Sequence, residues 1–153
     1  AANAEVGLSA DAGVDAVLRR RFAEAGKPIM GLETAQGQLA LFDALAPADQ
    51  QAMLERSIDD FDRAAADYRA MLDDWAAGDG DGLLDRAVRG ILARPAVRQA
   101  LLDGRNRAWA AELTDRLRSR RTIFVAVGAA HLAGPVGLPA LLAARGATVR
   151  RLQ

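Results

Sequence analysis

Apolar residues recur at helical spacing through most of the chain, and a few short continuous apolar runs interrupt that pattern. Asp11 to Ala25 places Val14, Val17, Leu18 and Phe22 on one helical face, and Gly26 stands where such helices end. Pro28 to Leu32 is a short, mostly apolar strand candidate. Glu33 and Thr34 mark its exit into a helix over roughly Ala35 to Leu45, which Thr34 can cap. From Ala48 to about Ala77 neither proline nor glycine interrupts the chain, so a continuous helix there would run roughly 45 Å. Leu54, Ile58, Phe61, Ala65, Tyr68, Leu72 and Trp75 alternate spacings of four and three, a seam suited to a partner helix. Arg56 with Asp60, Asp59 with Arg63, and Arg63 with Asp67 are spaced as surface ion pairs on the other face.

Gly78-Asp79-Gly80-Asp81-Gly82 breaks this helix, and a shorter one from about Leu83 to Ala93 completes a helical hairpin. Pro95 to Leu102 reads as a helix, Asp103-Gly104 as a turn, and Arg105 to Ser119 as a helix with Trp109, Leu113 and Leu117 on its core face. Thr122 to Val127 is the best strand pattern in the chain, apolar almost throughout and β-branched, as in a strand covered on both faces. Gly128 to His131 then leads to a helix from about Pro135 to Ala144, closed by Gly146. Ala147 to Leu152 reads as a final strand, polar enough at Arg150 and Arg151 for a sheet edge. The pattern therefore predicts a helix-rich α/β fold: a small, mostly parallel sheet of about three strands with a long helical hairpin. Such a sheet is small for so many helices, so further strands are expected from elsewhere and the domain is read as incomplete.

Length and composition fit one domain. The chain has 153 residues, 51% of them hydrophobic, enough for a real core. Net charge is zero, so nothing global favours nucleic acid or an anionic membrane. The charge is nonetheless uneven: residues 1 to 80 carry 7 basic and 15 acidic groups, a net of −8, and the remainder carries +8. The two halves should attract, within one molecule or between two. Zero cysteines exclude disulfides, thiolate zinc sites and a cysteine nucleophile. No apolar run approaches the roughly 20 residues that cross a bilayer, and Ala1 to Ala10 does not look like a signal peptide. No methionine opens the chain, and we expect that sequence precedes Ala1.

His131, the chain's single histidine, follows the central strand pattern by four residues. Gly128 there would permit a tight turn and close approach of a ligand to the backbone. An imidazole in such a loop can bind a metal, move a proton or contact an oxyanion; it can equally be satisfied by backbone groups. Glu33 holds the parallel position after Pro28 to Leu32. Its carboxylate could share a crevice with His131, or could simply complement the start of the following helix. Arg105 could hold a carboxylate or an anionic substrate group, with Asn106 orienting it, although most arginines in an Arg-rich chain are solvated. The Asp79-Gly80-Asp81-Gly82 run lacks the third acidic ligand and the closing Glu of a calcium loop and reads as a capped turn. Arg116, Arg118, Arg120 and Arg121 have no interleaved aromatics and read as a solvated helix end rather than a nucleic-acid platform. The Leu54 to Trp75 seam suits either a homo-oligomer or packing within its own fold.

Together these segments resemble the TraB/GumN family, which includes the Tiki-type metalloproteases. The resemblance runs from Gly31-Leu32-Glu33-Thr34 and Gln38-Leu39-Ala40-Leu41-Phe42, through Leu101-Leu102, Arg105-Asn106 and Trp109, to Phe124 through Leu132, with Gly134, Gly137-Leu138, Leu141-Leu142 and Gly146 trailing. It implies an α/β fold related to ChaN-like and erythromycin-esterase-like proteins. It also implies a site built from two Gly-x-x-His motifs, a glutamate after a strand, and an arginine. Gly128 to His131 would supply the second motif, Glu33 the glutamate and Arg105 the arginine. By resemblance Glu33, Arg105 and His131 are then the catalytic candidates, Glu33 and His131 the metal ligands, and Gly128, Asn106 and Gln38 their supports.

Two departures qualify this. The first Gly-x-x-His motif belongs upstream of the glutamate, and no second histidine exists here; the acidic residues common after the Glu-Thr pair are replaced by Gln36-Gly37. The chain thus reads as roughly the C-terminal half of such a domain, spanning residues 1–153. A catalytic zinc site uses three protein ligands plus water, and manganese or cobalt sites need at least as many. The complete protein is therefore expected to be a metal-dependent hydrolase acting on a peptide or small molecule, and this piece inactive. The alternative is a non-catalytic haem or small-ligand binding protein. Family members of the GumN type often carry an export signal, so the resemblance implies the bacterial periplasm or envelope.

Overall fold

The computed structural model describes residues 10–119 and 122–152. Its helices are α1 (Val14–Glu24), α2 (Ala35–Asp43), α3 (Pro47–Asp59), α4 (Ala64–Ala76), α5 (Gly80–Arg89), α6 (Pro95–Arg98), α7 (Gly104–Arg118) and α8 (Leu138–Ala143). Their ends follow local chemistry. Thr34 Oγ1 accepts the Gly37 amide at 3.0 Å and caps α2, and Asp79 accepts the Gly82 amide at 2.9 Å and caps α5. The Asp79 to Gly82 run is thereby a helix start. Gly26 and Gly146 take positive φ values of 64° and 91°, the left-handed turn that stops α1 and α8. No described helix is long and apolar enough to cross a membrane.

The expected α/β sheet is not there: among the described residues there is no strand. Pro28 to Leu32, Thr122 to Val127 and Ala147 to Leu152 are the right kind of segment without the right neighbour. A strand exists only when its amides and carbonyls meet those of another strand, and no ladder links these segments to one another. Their apolar side chains are still used. Leu32, Ile123 and Val127 pack on the cluster of Trp109, Ala110, Leu113 and Leu138, and Val125, Val127 and Val149 line one apolar hollow with Leu113 and Leu138. Alternate residues face away: Phe124 is 61% exposed, its ring centroid 5.5 Å from that of Phe22 on α1. The two-residue periodicity of a strand is present, applied to a helical layer.

The long uninterrupted helix also divides. It turns at Asp60, where a short 3-10 segment (Phe61–Arg63) separates α3 from α4. Neither proline nor glycine causes this; the Asp60 carboxylate accepts from Arg56 at 2.6 Å and from Arg63 at 2.7 Å, stapling the two sides of the turn. The seam splits with it. Tyr68 and Leu72 are half-buried on α4, which packs against α5 in the expected hairpin, whereas Leu54, Ile58 and Phe61 stay exposed. Ion pairs between Asp49 and Arg94, Asp74 and Arg86, and Glu33 and Arg105 join the acidic half of the chain to the basic half within the molecule. Arg116 and Arg118 pair with Glu112 and Asp115 one turn away, as on a solvated helix end; Arg120 and Arg121 lie outside the described residues.

Asp103-Gly104 is not a turn. The rod continues from α6 through a π-helical segment (Gln99–Asp103) straight into α7. Likewise Pro135 precedes its helix rather than opening it, since α8 starts at Leu138 with Pro139 in its first turn. Leu45, Leu92, Val97 and Leu102 form one buried cluster and Trp109, Ala110, Leu113 and Leu138 the other; Leu117, expected on the core face, is 45% exposed. Gly104 sits between the clusters because the wide π turn brings the Gln99 carbonyl to where a side chain would be: a Cβ on Gly104 would lie 2.7 Å from that oxygen. We expect Gly104→Ala to destabilise by about 1–3 kcal/mol, an overpacking cost. Helix propensity alone would stabilise by roughly 1 kcal/mol, so the sign of the change in urea midpoint decides between the two effects.

Candidate functional site

Glu33, Arg105, Asn106 and His131 gather around one indole. α7 delivers three members on consecutive turns: Arg105 and Trp109 are four apart, and Asn106 lies beside them facing the core. The 28–34 segment brings Glu33 from one side, and a 3-10 turn (Ala129–Leu132) brings His131 from the other. That turn is closed by the His131 amide donating to the Gly128 carbonyl at 2.9 Å.

Arg105 grips Glu33 with a fork. Nε donates to Oε1 at 3.0 Å and to Oε2 at 3.2 Å, and Nη2 donates to Oε2 at 2.9 Å, both side chains being mostly buried. The remaining arm, Nη1, donates to the Leu101 carbonyl at 3.0 Å. The guanidinium carbon stands 4.7 Å from the centre of the Trp109 ring, a cation–π contact. His131 covers the same indole, ring centroids 4.6 Å apart and tilted by 42°. Its Nδ1 lies 2.6 Å from Asn106 Oδ1, and Asn106 Nδ2 donates to the Val136 carbonyl at 2.8 Å.

The electrostatics follow from this packing. Burial raises the Glu33 pKa, but hydrogen bonds from Arg105 and Gln38, the Arg105 charge and the Trp109 indole outweigh it, leaving the carboxyl below its ordinary value. The indole N–H is buried without a hydrogen bond of normal geometry, so its help is that of a nearby dipole. His131 is pushed down to about 4 from 6.5, chiefly by burial and then by the Arg105 cation, with Glu33 pulling weakly the other way. It is thus a neutral imidazole at neutral pH.

The residues singled out from the sequence therefore divide into two contacts on one wall. Glu33 meets Arg105, and His131 meets Asn106; the Glu33 charge acts on His131 without a hydrogen bond between them. Asn106 serves His131, not a group held by Arg105. Gln38 lies on the first turn of α2 and acts on Glu33. Gly128 has φ −58°, open to any residue, and a Cβ there would only touch His131 Cδ2 at 3.7 Å. Trp109, placed by the sequence on the core face and in the family pattern but not among the site residues, is the member that was missed. Its spacing from Arg105 was the available signal.

A metal centre is not assembled from these groups: among the described residues no three His, Cys, Asp or Glu side chains converge. Both Glu33 oxygens are engaged by Arg105, so an ion held by Glu33 would share the carboxylate with the guanidinium. His131 offers one coordination position.

Both titrations make acid destabilising. The unfolded imidazole takes up its proton near 6.5 and the folded one only near 4, so stability falls as pH drops through that window. Glu33 adds a further loss below its ordinary 4.5, where the unfolded carboxyl protonates before the folded one. We expect an NMR titration of the single histidine to have its midpoint near 4, and Arg105→Ala to move it up toward 6.5. An unchanged midpoint in the variant would leave burial as the sole cause.

Comparison with known proteins adds one match. The family model described as the TraB/PrgY/gumN family covers residues 1–151, essentially the whole chain. No curated protein and no solved structure matches it. With that coverage, and with Glu33, Arg105 and His131 drawn to a common indole, the chain belongs to the TraB/PrgY/gumN family.

Proposed function

We propose that the Trp109-centred cluster is one wall of a hydrolytic site, in which His131 donates an electron pair to a divalent metal ion whose remaining ligands, Glu33 aside, lie beyond the described residues. The observation that carries this reading is the neutrality of His131. A pKa of about 4 leaves the imidazole unprotonated at neutral pH. That is a poor value for a general base, which works best near the operating pH, and the right state for coordination. Zinc, manganese or cobalt would each accept a neutral imidazole, and the bound ion would supply an activated water.

The remaining residues act on that donor. Glu33 and Arg105 neutralise each other as a fork, so the wall carries an ion pair rather than a net charge, and Arg105 keeps protons away from His131. Trp109 shields both from water with its ring. Glu33 as an ion ligand belongs to the same proposal, through the lone pair that the Arg105 fork leaves free. An envelope location goes with the family and stands as part of this reading.

The same neutral imidazole favours a second reading, a protein that binds haem or another small ligand through His131 without catalysis. The two separate in the intact protein of the native host. Under the first, metal content and peptide hydrolysis are both lost in His131→Ala. Glu33→Gln lowers both as well, because it removes the carboxylate offered to the ion. Under the second, haem titration gives a shifted absorption band that vanishes in His131→Ala while no hydrolysis is detected. Unchanged metal, activity and haem response in His131→Ala would remove both.

A further inference from the structure

The Asn106 amide is almost completely buried, at 1% exposure, and both of its ends are in use. Its two neighbours are chemically unequal. A backbone carbonyl can only accept a hydrogen bond, whereas an imidazole nitrogen can donate or accept according to where its proton sits. The Val136 carbonyl, 2.8 Å from Nδ2, therefore fixes which end of the amide is which. Turning the amide over would place two oxygens against each other at that distance. With Nδ2 committed to Val136, the group facing His131 is Oδ1, and at 2.6 Å it needs a proton from Nδ1.

We infer that Asn106 is a positioning residue that holds His131 as the Nδ1–H tautomer, so that the lone pair is on Nε2. In water a neutral histidine prefers the opposite arrangement, with the proton on Nε2. The fold thus selects the less common form, and it does so from a residue that does not itself touch a ligand. The anchor is indirect but rigid. Val136 lies in the turn between Gly134 and Gly137, where the Gly137 amide donates to the Gly134 carbonyl at 3.1 Å, directly before α8. The tautomer is set by three elements at once: α7 provides the amide, the turn before α8 orients it, and the Ala129–Leu132 turn presents the ring.

The functional weight of this arrangement rests on the proposed reading of His131 as a donor, since only a lone pair on the outward nitrogen serves a ligand. The arrangement itself can be measured without any ligand. Because the chain has one histidine, a long-range proton–nitrogen correlation spectrum of the nitrogen-15-labelled chain at pH 7 reports that ring alone. The expected result is a protonated-type Nδ1 and an unprotonated-type Nε2. In Asn106→Leu, the Nδ1–H signature should be lost in favour of Nε2–H. A wild-type ring protonated on Nε2 overturns the inference whatever the variants do, so an Asn106→Leu chain that fails to fold does not shield it. A folded Asn106→Leu chain that keeps Nδ1–H overturns it as well. If the tautomer is as inferred but His131→Ala leaves metal, hydrolysis and haem response intact, the functional reading fails and the positioning role stands. If the tautomer is wrong but His131→Ala abolishes them, the reverse holds.

Discussion

Everything that brings this chain's chemistry together passes through the Trp109 indole. It is buried in the cluster formed by α7 and α8, with Arg105 over its ring and His131 tilted across it. Leu32, one residue from Glu33, packs on the same cluster. A large rigid ring is suited to this role because it offers area on its faces and a polar edge at once. The Arg105 fork then needs little additional ordering, since its guanidinium already lies on a flat surface and its third nitrogen, Nη1, is tied to Leu101. Three segments distant in sequence thus meet on one side chain, and the absence of a sheet among the described residues does not scatter them.

The features legible in the sequence are those decided within a few residues. Thr34 and Asp79 cap helices because their side chains reach amides three positions on, and Gly26 and Gly146 stop helices because they can take positive φ. What depends on a distant partner was not legible. Thr122 to Val127 has the composition and alternation of a strand, but composition does not supply a neighbour, and the run lies against helices instead. Gly104 misled for another reason. A glycine after an aspartate reads as a turn, while here it is demanded by the approach of a carbonyl five residues back. Of the site, the family pattern brought out Glu33, Arg105 and His131, whereas the Asn106 contact with His131 spans 25 positions and could be seen only in three dimensions.

The uneven charge distribution acquires a meaning in the folded chain. The pairs that cross between the acidic and basic halves join the start of α3 to the residue before α6, α4 to α5, and Glu33 to α7. Of these three pairs, Glu33–Arg105 is the one well shielded on both sides, and it is bidentate. Exposed pairs such as those along α3 contribute little under solvent screening. The charge imbalance therefore acts chiefly as a guide to which surfaces adjoin, and its energetic weight is concentrated at the candidate site.

The π-helical segment between α6 and α7 has a consequence for how the chain can change in length. Val97 and Leu102 belong to one buried cluster and Trp109 to the other, and the neighbouring residues Ala130 and His131 each face one of the two. A π turn is an ordinary helical turn with one residue added, so loss of a single residue from Gln99 to Asp103 would return the rod to ordinary pitch and leave the α7 side chains facing much as before. The same loss between Asn106 and Trp109 would swing every later side chain by about 100° and part the indole from Arg105. One residue can thus be given up at the wide turn, and none a single turn later without dismantling the site.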